Sequence, residues 1–555
     1  MDKRFFLALF LSLIVIALSQ LLFPAPKPAP ITTVPVDSAK TAPAASTTAG
    51  VLPTTGNTVQ QPVRSDSTPA IVPASAETAT VSTPKANYTF TNIGAAPVSI
   101  VIRDYENRSA SGGLVDLALP GQPLLGFRLV TSGDTLDLRR VSFSLSRSGD
   151  TRREILTYSA TVENHQTEIT YEILPDTAAS YVMNVNGRVI GNQGQAYVLV
   201  DLPGSLRSVE KDTVADQQSL AYSFKPQKDH AGNVLFGDLD PGEKRLEPGP
   251  LSWVAVKSKY FVLGILPPEG APFSEVALVG GPRTSKVATN AAATAVVPII
   301  NGAFAFEVYA GPQESHRLHR LGRDFDQVNP YGWSFMQGVV HPIASEVIRG
   351  LLWMHNSLKL SYGWVLIILG VLIRLLMWPL NQGAMRSSLK MQEVQPKLLA
   401  AQKKYKDPLQ QREAIMKVYK EAGVSPFAGL TGCLPMLLPM PILFALFFVF
   451  QNTIEFRGVP FAWLQDISVK DPYYILPLLM GASMYVLSWI GMRNAPPNPQ
   501  AKMMMYMFPV MMTVVLLNMA SGLNLYYTAQ NIAALPQQWL LARERAKART
   551  STTGV

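Results

Sequence analysis

Apolar and polar positions divide this chain into three kinds of region. The first is a run of nineteen uncharged residues at 5–23, preceded by Lys3 and Arg4. A central region contains short segments in which apolar and polar residues alternate. The C-terminal part has long apolar segments again, at about 361–380, 427–450, 473–491, 503–518 and 522–541. A helix needs about twenty apolar residues to cross a bilayer, so the pattern predicts six transmembrane helices.

The first apolar segment is compatible with a cleaved signal peptide or with an uncleaved anchor. It exceeds the roughly 7–15 apolar residues usual in signal peptides. We therefore interpret 1–23 as a transmembrane anchor with a cytoplasmic N-terminus. Residues 24–86 are rich in Pro, Ala and Thr and have few charges or aromatic rings. Such a composition cannot bury enough surface to offset the entropy of ordering, which predicts a flexible linker.

Residues 87–311 are predicted to form an all-β sandwich outside the cytoplasm. Strand-length pieces separated by Gly, Pro, Asn and Asp turns occur at 88–93, 97–105, 167–174, 196–202, 260–266 and 303–310. Residues 328–356 are instead amphipathic, with Pro342 as a predicted kink. We expect this segment to lie in the membrane interface. The alternative is a helix packed on the β domain.

The distribution of charge predicts the topology. The formal net charge is +9 and only 16% of residues are charged. Cationic side chains lie beside apolar segments rather than on one soluble patch, so sequence-specific nucleic-acid binding is not predicted. The connection 381–426, the loop 492–502 and the basic tail 542–555 are rich in Lys and Arg. Counting these charges places both termini in the cytoplasm.

The long basic connection is predicted to form a helical hairpin over 384–422, with a turn at 406–408. Four of its cationic residues are candidates for a cytoplasmic docking surface: Lys397, Lys403, Lys404 and Arg412. Anionic lipid headgroups, a ribosome or another translocation component would suit such a surface. The alternative is a charged loop that only obeys the topology rules.

Two polar features lie inside the apolar segments. Arg374 is a charge within a segment long enough to span, which either snorkels to the interface or has a function. On the last segment, three residues spaced i, i+4, i+7 share one helix face, flanked by Gln530: Asn524, Thr528 and Asn531. They indicate either interhelical hydrogen bonds or, together with Arg374, a wet intramembrane groove.

No catalytic or metal-binding pattern is recognisable. Cys433 is the single cysteine, and the six histidines show no HExxH spacing. Neither a phosphate-binding GxxxxGK[ST] motif nor a GxSxG nucleophile motif occurs. We therefore predict a protein that is not an enzyme and that has no metal or other cofactor.

Ordered motifs across about 220 residues resemble the YidC family of membrane protein insertases. They are Gly370-VLIRLLMWPLN, Met391-QEVQPKL, Gly432-CLPMLLPMPILFAL, Asp471-PYYILPLLMG and Ser521-GLNLYY. The anchor and β domain resemble the Gram-negative form, located in the bacterial inner membrane. In that form the periplasmic domain is a super-sandwich similar to sugar mutarotases, and 361–541 would be a five-helix insertase core.

The resemblance implies a function and a site. An insertase and chaperone would take the polar tail of a nascent integral membrane protein into a hydrophilic groove at Arg374. Residues aligned with an apolar slide for the substrate are Leu443, Met480, Tyr526 and Tyr527. The lipid bilayer, Sec translocon components and the ribosome are the implied partners. Two alternatives remain open here: a transporter or channel using the same polar groove, and a sugar-binding or mutarotase-like β domain.

Overall fold

The computed structural model describes residues 76–552, except for 132–133, 151–152, 175–180, 192–194, 284–286, 330, 333–335, most of 380–406, 422–439 and 494–498. The predicted anchor 1–23 and most of the predicted linker 24–86 lie outside the described residues. Everything below concerns the described part of the chain.

The strands of the β domain form two antiparallel sheets. The first sheet has the order β1-β2-β3-β4, and the main path of the second is β6-β5-β11-β17-β16-β14-β15-β18-β10-β9-β8-β7, with β12 and β13 beside β14. The strands are β1 Thr78–Ser82, β2 Ala86–Thr91, β3 Ala96–Glu106, β4 Leu114–Asp116, β5 Gly126–Val130, β6 Thr135–Asp137, β7 Ser144–Gly149, β8 Glu154–Val162, β9 His165–Ile173, β10 Val182–Ile190, β11 Tyr197–Leu202, β12 Ala221–Pro226, β13 Gly232–Leu235, β14 Lys244–Lys257, β15 Phe261–Leu266, β16 Phe273–Gly280, β17 Ala291–Pro298 and β18 Ala303–Pro312.

The two sheets pack face to face, as the alternating pattern predicts. In β9 every second side chain is buried, from Thr167 to Ile173. The Tyr171 ring of β9 lies 4.7 Å from the Phe90 ring of β2, and its hydroxyl donates to the Ala95 carbonyl at 2.6 Å. One contiguous apolar core therefore joins both sheets, and the predicted β-rich domain is confirmed.

The β domain begins earlier than the predicted residue 87. Strand β1 pairs with β2 along its whole length, and Ala79 and Val81 are buried. The predicted linker therefore extends too far, because β1 consists of Thr, Ala, Val and Ser, the same residue types that fill the linker. Five such residues give too little alternation to separate a strand from a linker.

The helices follow the β domain, apart from one short helix inside it. They are α1 Thr213–Gln218, α2 Ser315–Arg320, α3 Gln337–Leu358, α4 Tyr362–Leu376, α5 Pro408–Glu421, α6 Met440–Asn452, α7 Ile475–Met492, α8 Pro499–Leu516 and α9 Ser521–Thr552. The amphipathic segment forms α3, which buries Val340, Ala344 and Ile348 and packs against α6. Helix α5 matches the second arm of the predicted hairpin.

Helix α9 lies between α4 and α7, and α8 packs on α7. It continues beyond the predicted span 522–541 into the predicted basic tail. Among the described helices, α7 alone has both the length and the apolar character to cross a membrane. Shorter apolar helices occupy Tyr362–Leu376, Pro441–Asn452 and Met505–Leu516. The number of six spans therefore stays a prediction.

Candidate functional site

The first turn of α9 is held by the loop 453–472, which joins α6 to α7. The first N–H groups of a helix have no partner inside the helix. Here the Ser521 N–H donates to the Val469 carbonyl at 2.7 Å, and the Gly522 N–H donates to the Ile467 carbonyl at 2.9 Å. The position of α9, which carries most of the candidate polar residues, is thus fixed at one end by backbone hydrogen bonds.

Arg374, in the last turn of α4, is bound to α9 through Gln537. Its Nη2 donates to Gln537 Oε1 at 2.8 Å, and Gln537 Nε2 donates to the Trp378 carbonyl at 3.2 Å. Gln537 is 2% exposed and Arg374 is half-buried. The Arg374 Nε atom is buried without a hydrogen-bond partner among the described residues. The guanidinium is therefore held in place but only partly satisfied.

Close approach of α4 and α9 makes this contact possible. At Gly370, one turn before Arg374, a Cβ atom would lie 3.0 Å from the Tyr526 carbonyl oxygen and 3.4 Å from the Gln530 backbone nitrogen. Only glycine leaves the two helix backbones this close without strain, as small residues do in membrane helix pairs.

Asn531 faces a different neighbour. Its Nδ2 donates to Ser483 Oγ at 3.1 Å and lies 3.5 Å from the Met480 carbonyl oxygen, both on α7. One predicted role of the polar face formed by Asn524, Thr528 and Asn531 was interhelical hydrogen bonding, and Asn531 makes such a bond.

The other two polar residues on this face of α9, Asn524 and Thr528, form hydrogen bonds to α8 and within α9. Thr528 Oγ1 donates to the Asn524 carbonyl at 2.7 Å, and Asn524 Nδ2 donates to the Leu516 carbonyl of α8 at 3.1 Å. Asn524 is fully buried, and its Oδ1 has no hydrogen-bond partner in the described part of the chain.

Arg374 is thus hydrogen-bonded to Gln537 rather than to Asn524, Thr528 or Asn531. Gln537 follows Gln530 by seven residues, so the two share a helix face. That spacing is the signal for Gln537 in the sequence, but pairing it with Arg374 requires the packing of α4 against α9, which helix periodicity does not give.

The residues aligned with an apolar slide differ in exposure. Met480 and Tyr526 are each 1% exposed and belong to the apolar core of the helices. Tyr527 and Leu443 are half-buried. Large apolar side chains that are exposed on α7 and α8 include Leu478, Met503, Met507, Val510 and Val514. These two helices therefore present an apolar surface outside the core.

Comparison with known proteins identifies the family. Residues 353–549 match the family described as 60Kd inner membrane protein, and residues 78–343 match the YidC periplasmic domain family. The membrane protein insertase YidC of Chlorobaculum tepidum is 30% identical over 529 residues, which cover 89% of this chain and 87% of that protein. This chain belongs to the YidC family. The resemblance inferred from the motifs is confirmed.

Two further YidC proteins can be placed beside this chain. The membrane protein insertase YidC of Chlorobaculum parvum is 32% identical over 432 residues, covering 73% of this chain and 71% of that protein. A crystal structure of an active YidC insertase is 18% identical, with a TM-score of 0.32, and covers 83% of this chain and 92% of that one. The family descriptions make the chain an inner-membrane protein with a periplasmic domain.

The candidate docking residues lie in the predicted hairpin 384–422, of which the structure describes helix α5 and a few positions before it. Lys397, Lys404 and Arg412 are exposed, and Lys403 falls outside the described residues. In α5, Leu409 and Met416 are also exposed, so the helix presents both charge and apolar surface. That combination suits an interfacial or partner-binding surface.

The periplasmic domain contains ionisable groups of its own. Lys257 Nζ donates to Asn329 Oδ1 at 2.6 Å, and burial lowers the pKa of this lysine to about 7. His319 Nδ1 lies 3.6 Å from Asp326 Oδ2, but the histidine is 80% exposed. Among the described residues, no cluster of three or more His, Cys, Asp or Glu could hold a metal ion. Lys257 is therefore paired with an amide oxygen, and His319 is open to solvent.

Proposed function

We propose that this chain is a membrane protein insertase and chaperone for nascent integral membrane proteins, and not an enzyme. The observation that carries the proposal is the partly satisfied guanidinium of Arg374, held by Gln537 between α4 and α9 in a YidC-family helical core. A charge within a membrane-spanning segment is costly and is retained where a function needs it. Here it would attract acidic or polar groups of a substrate's hydrophilic tail.

Unpaired polar atoms near α9 support a hydrated groove. Asn524 Oδ1, Tyr527 Oη and Gln538 Oε1 are buried without a hydrogen-bond partner among the described residues. Leaving such an atom unpaired costs roughly 1–3 kcal/mol. Water or polar groups of a passing polypeptide would remove that cost, so the proposed groove comprises Arg374, Asn524, Thr528, Gln530 and Asn531, to which we add Gln537.

The depth of Arg374 fits this role. Helix α4 begins at Tyr362, whose ring lies 5.4 Å from Phe456 of the loop that contacts the β domain. Arg374 lies twelve residues further along, about 18 Å at 1.5 Å per residue. In a hydrocarbon core about 30 Å thick that begins at Tyr362, the guanidinium would lie nearer the cytoplasmic side. A helix as short as α4 also favours a locally thinner bilayer.

Insertion would then proceed without a chemical step. The polar tail enters the groove and exchanges its hydration for the groove's donors and acceptors, which lowers the desolvation barrier. The apolar segment of the substrate passes along Leu443 and Tyr527, which Met480 and Tyr526 support from the core, into lipid beside the exposed apolar side chains of α7 and α8. Tight binding is not needed, because the substrate must leave.

The proposal includes a topology and partners. We place six spans in the inner membrane, with both termini in the cytoplasm, and infer that the hairpin 384–422 contacts anionic headgroups through Lys397, Lys403, Lys404 and Arg412. Sec translocon components and the ribosome are proposed as further partners, since the hairpin would face both. No cofactor is required.

Reconstitution tests the proposal. Purified chain in proteoliposomes should insert a single-span protein with a short acidic tail. Arg374→Ala should reduce insertion several-fold, and Arg374→Lys should reduce it less because the charge remains. Arg349→Ala, which removes an exposed arginine on α3 paired with Glu346, is the matched control and should insert normally. Full insertion by Arg374→Ala with several substrates would exclude the electrostatic role.

The comparisons do not favour the transporter or channel alternative, because the relatives are named insertases. The same vesicles distinguish the two functions. A transporter predicts flux of a small solute without any nascent chain, whereas an insertase predicts protease-protected substrate without that flux.

A further inference from the structure

Arg457 of the loop 453–472 binds this loop to the β domain. Arg457 Nε donates to Glu210 Oε1 at 2.7 Å, and its Nη2 donates to the Glu106 carbonyl at 2.8 Å. The two side chains of this ion pair are only 3% and 9% exposed. Charges this well buried need their partners, because removing one leaves the other uncompensated.

In a second ion pair the β domain supplies the cation and the loop supplies the anion. Arg108 of the β domain donates through Nη1 to Asp466 Oδ2 of the loop at 2.5 Å. Gly458, with φ +76°, lies against the Arg108 guanidinium at a point where a Cβ atom would not fit. The β domain and the loop thus each supply one cation and one anion, and Gly458 leaves room for the Arg108 guanidinium.

Asp466 belongs to the stretch that holds α9. Its Oδ1 accepts hydrogen bonds from the Ser468 N–H at 2.8 Å and from Ser468 Oγ at 2.7 Å. The carbonyls of Ile467 and Val469, on either side of Ser468, accept the first N–H groups of α9. Hydrogen bonds at both ends of the short backbone stretch 466–469 therefore connect Arg108 to the first turn of the helix that carries Gln537.

We propose that the β domain positions α9 through Arg108 and Asp466 and thereby keeps the periplasmic end of the helices closed. Arg108 is a positioning residue in this account, since it acts through Asp466 and the loop. Only the consequence of this positioning for insertion rests on the proposed function. A groove that receives polar tails from the cytoplasmic side needs a closed outer end.

Cysteine accessibility tests the positioning directly. Leu523, in the first turn of α9, is 2% exposed. Leu523→Cys is introduced into the full chain together with Cys433→Ser, and a membrane-impermeant maleimide is added from the periplasmic side. Labelling should be slow in this background, several-fold faster with Arg108→Glu or Asp466→Arg, and slow again when both exchanges are combined. Arg108→Lys, which keeps the charge, should change labelling little.

The matched control breaks an ion pair that lies wholly within the β domain. Arg128 and Asp201 are 2.5 Å apart and similarly buried, but they have no connection to the loop. Arg128→Glu should leave labelling of the thiol introduced at position 523 unchanged. Unchanged labelling with Arg108→Glu, or an equal rise with Arg128→Glu, would overturn the positioning role.

Insertion by the same variants separates the two proposals. Faster labelling with reduced insertion supports both of them. Faster labelling with normal insertion supports the positioning of α9 and overturns its consequence for insertion. If Arg108→Glu does not fold, Arg108→Gln replaces it and is compared with the same control, Arg128→Glu. The proposal then requires faster labelling of the thiol at position 523 with Arg108→Gln than with the control.

Discussion

Arg374 and Gln537 are joined across α4 and α9 by a 2.8 Å hydrogen bond, and Gln537 in turn donates to the Trp378 carbonyl. This glutamine therefore orients the guanidinium while leaving its Nε atom available. We expect Gln537→Leu to reduce insertion several-fold, because the arginine loses its fixed acceptor. Gln218→Leu, the same change at an exposed position of α1 in the β domain, is the control. Equal activity of the two variants would remove Gln537 from the groove.

Asn531 is expected to contribute to stability as well as to the proposed groove. Its hydrogen bond to Ser483 links α9 to α7, and such bonds in membrane proteins contribute about 1 kcal/mol or less. Asn531→Leu should lower the midpoint of denaturant unfolding slightly and reduce insertion less than Arg374→Ala does, because the Asn531 amide nitrogen is already bonded to Ser483. Loss of insertion with unchanged stability would contradict the interhelical hydrogen bond.

Two glycines should respond in opposite ways to the same substitution. At Gly370 a Cβ atom would lie 3.0 Å from a backbone oxygen of α9, whereas at Gly350 of α3 nothing lies within 4 Å. Gly370→Ala should destabilise the protein by roughly 1–3 kcal/mol through overpacking. Gly350→Ala should be neutral or stabilise by up to about 1 kcal/mol, since alanine favours helix. Thermal unfolding in detergent compares them, and equal shifts would contradict the close helix contact.

Glu455 makes the junction between the β domain and the helices sensitive to pH. Burial raises the pKa of its carboxyl to about 7, and the carboxylate of Glu314 adds to the rise. An acid whose folded-state pKa lies above its unfolded value of 4.5 stabilises the fold fully below pH 4.5. It loses that contribution as the pH rises through 7.

Glu455→Gln should therefore flatten the pH dependence of unfolding between pH 4.5 and 7. Relative to wild type, the variant should gain stability above pH 7, by at most roughly 3 kcal/mol. Melting temperatures at about pH 5 and pH 8 measure the effect, with the exposed Glu346→Gln as control. A wild-type pH slope retained in Glu455→Gln would assign the titration to another group.

Much of the fold could be predicted because it follows from short-range periodicity. Segments such as 167–174 and 260–266 alternate or are continuously apolar, and both lie in strands of the sandwich. Strand β1 was missed because its residues match the linker in composition. The hydrogen bond between Arg374 and Gln537 was not predicted, because Gln537 lies inside the predicted last span and helix spacing does not indicate which neighbouring helix its side chain contacts.

The two ion pairs between the β domain and the loop 453–472 could not be predicted from the sequence. Arg108 and Asp466 are 358 residues apart in sequence, and Glu210 and Arg457 are 247 apart. Charged residues in turns carry no periodic signal that would pair them. Only the folded arrangement of the sheets against the helices brings such residues within hydrogen-bond distance.

Site-specific photocrosslinking tests the central claim that a nascent membrane protein passes along this helix bundle. A photoreactive residue is placed at Leu443 or Tyr527, both half-buried, and at Trp364, which is 55% exposed on α4 and lies outside the proposed path. We predict crosslinks from Leu443 and Tyr527 to an emerging membrane protein, weakened by Arg374→Ala, and none above background from Trp364. Crosslinks absent at Tyr527, or equally strong at Trp364, would contradict the account.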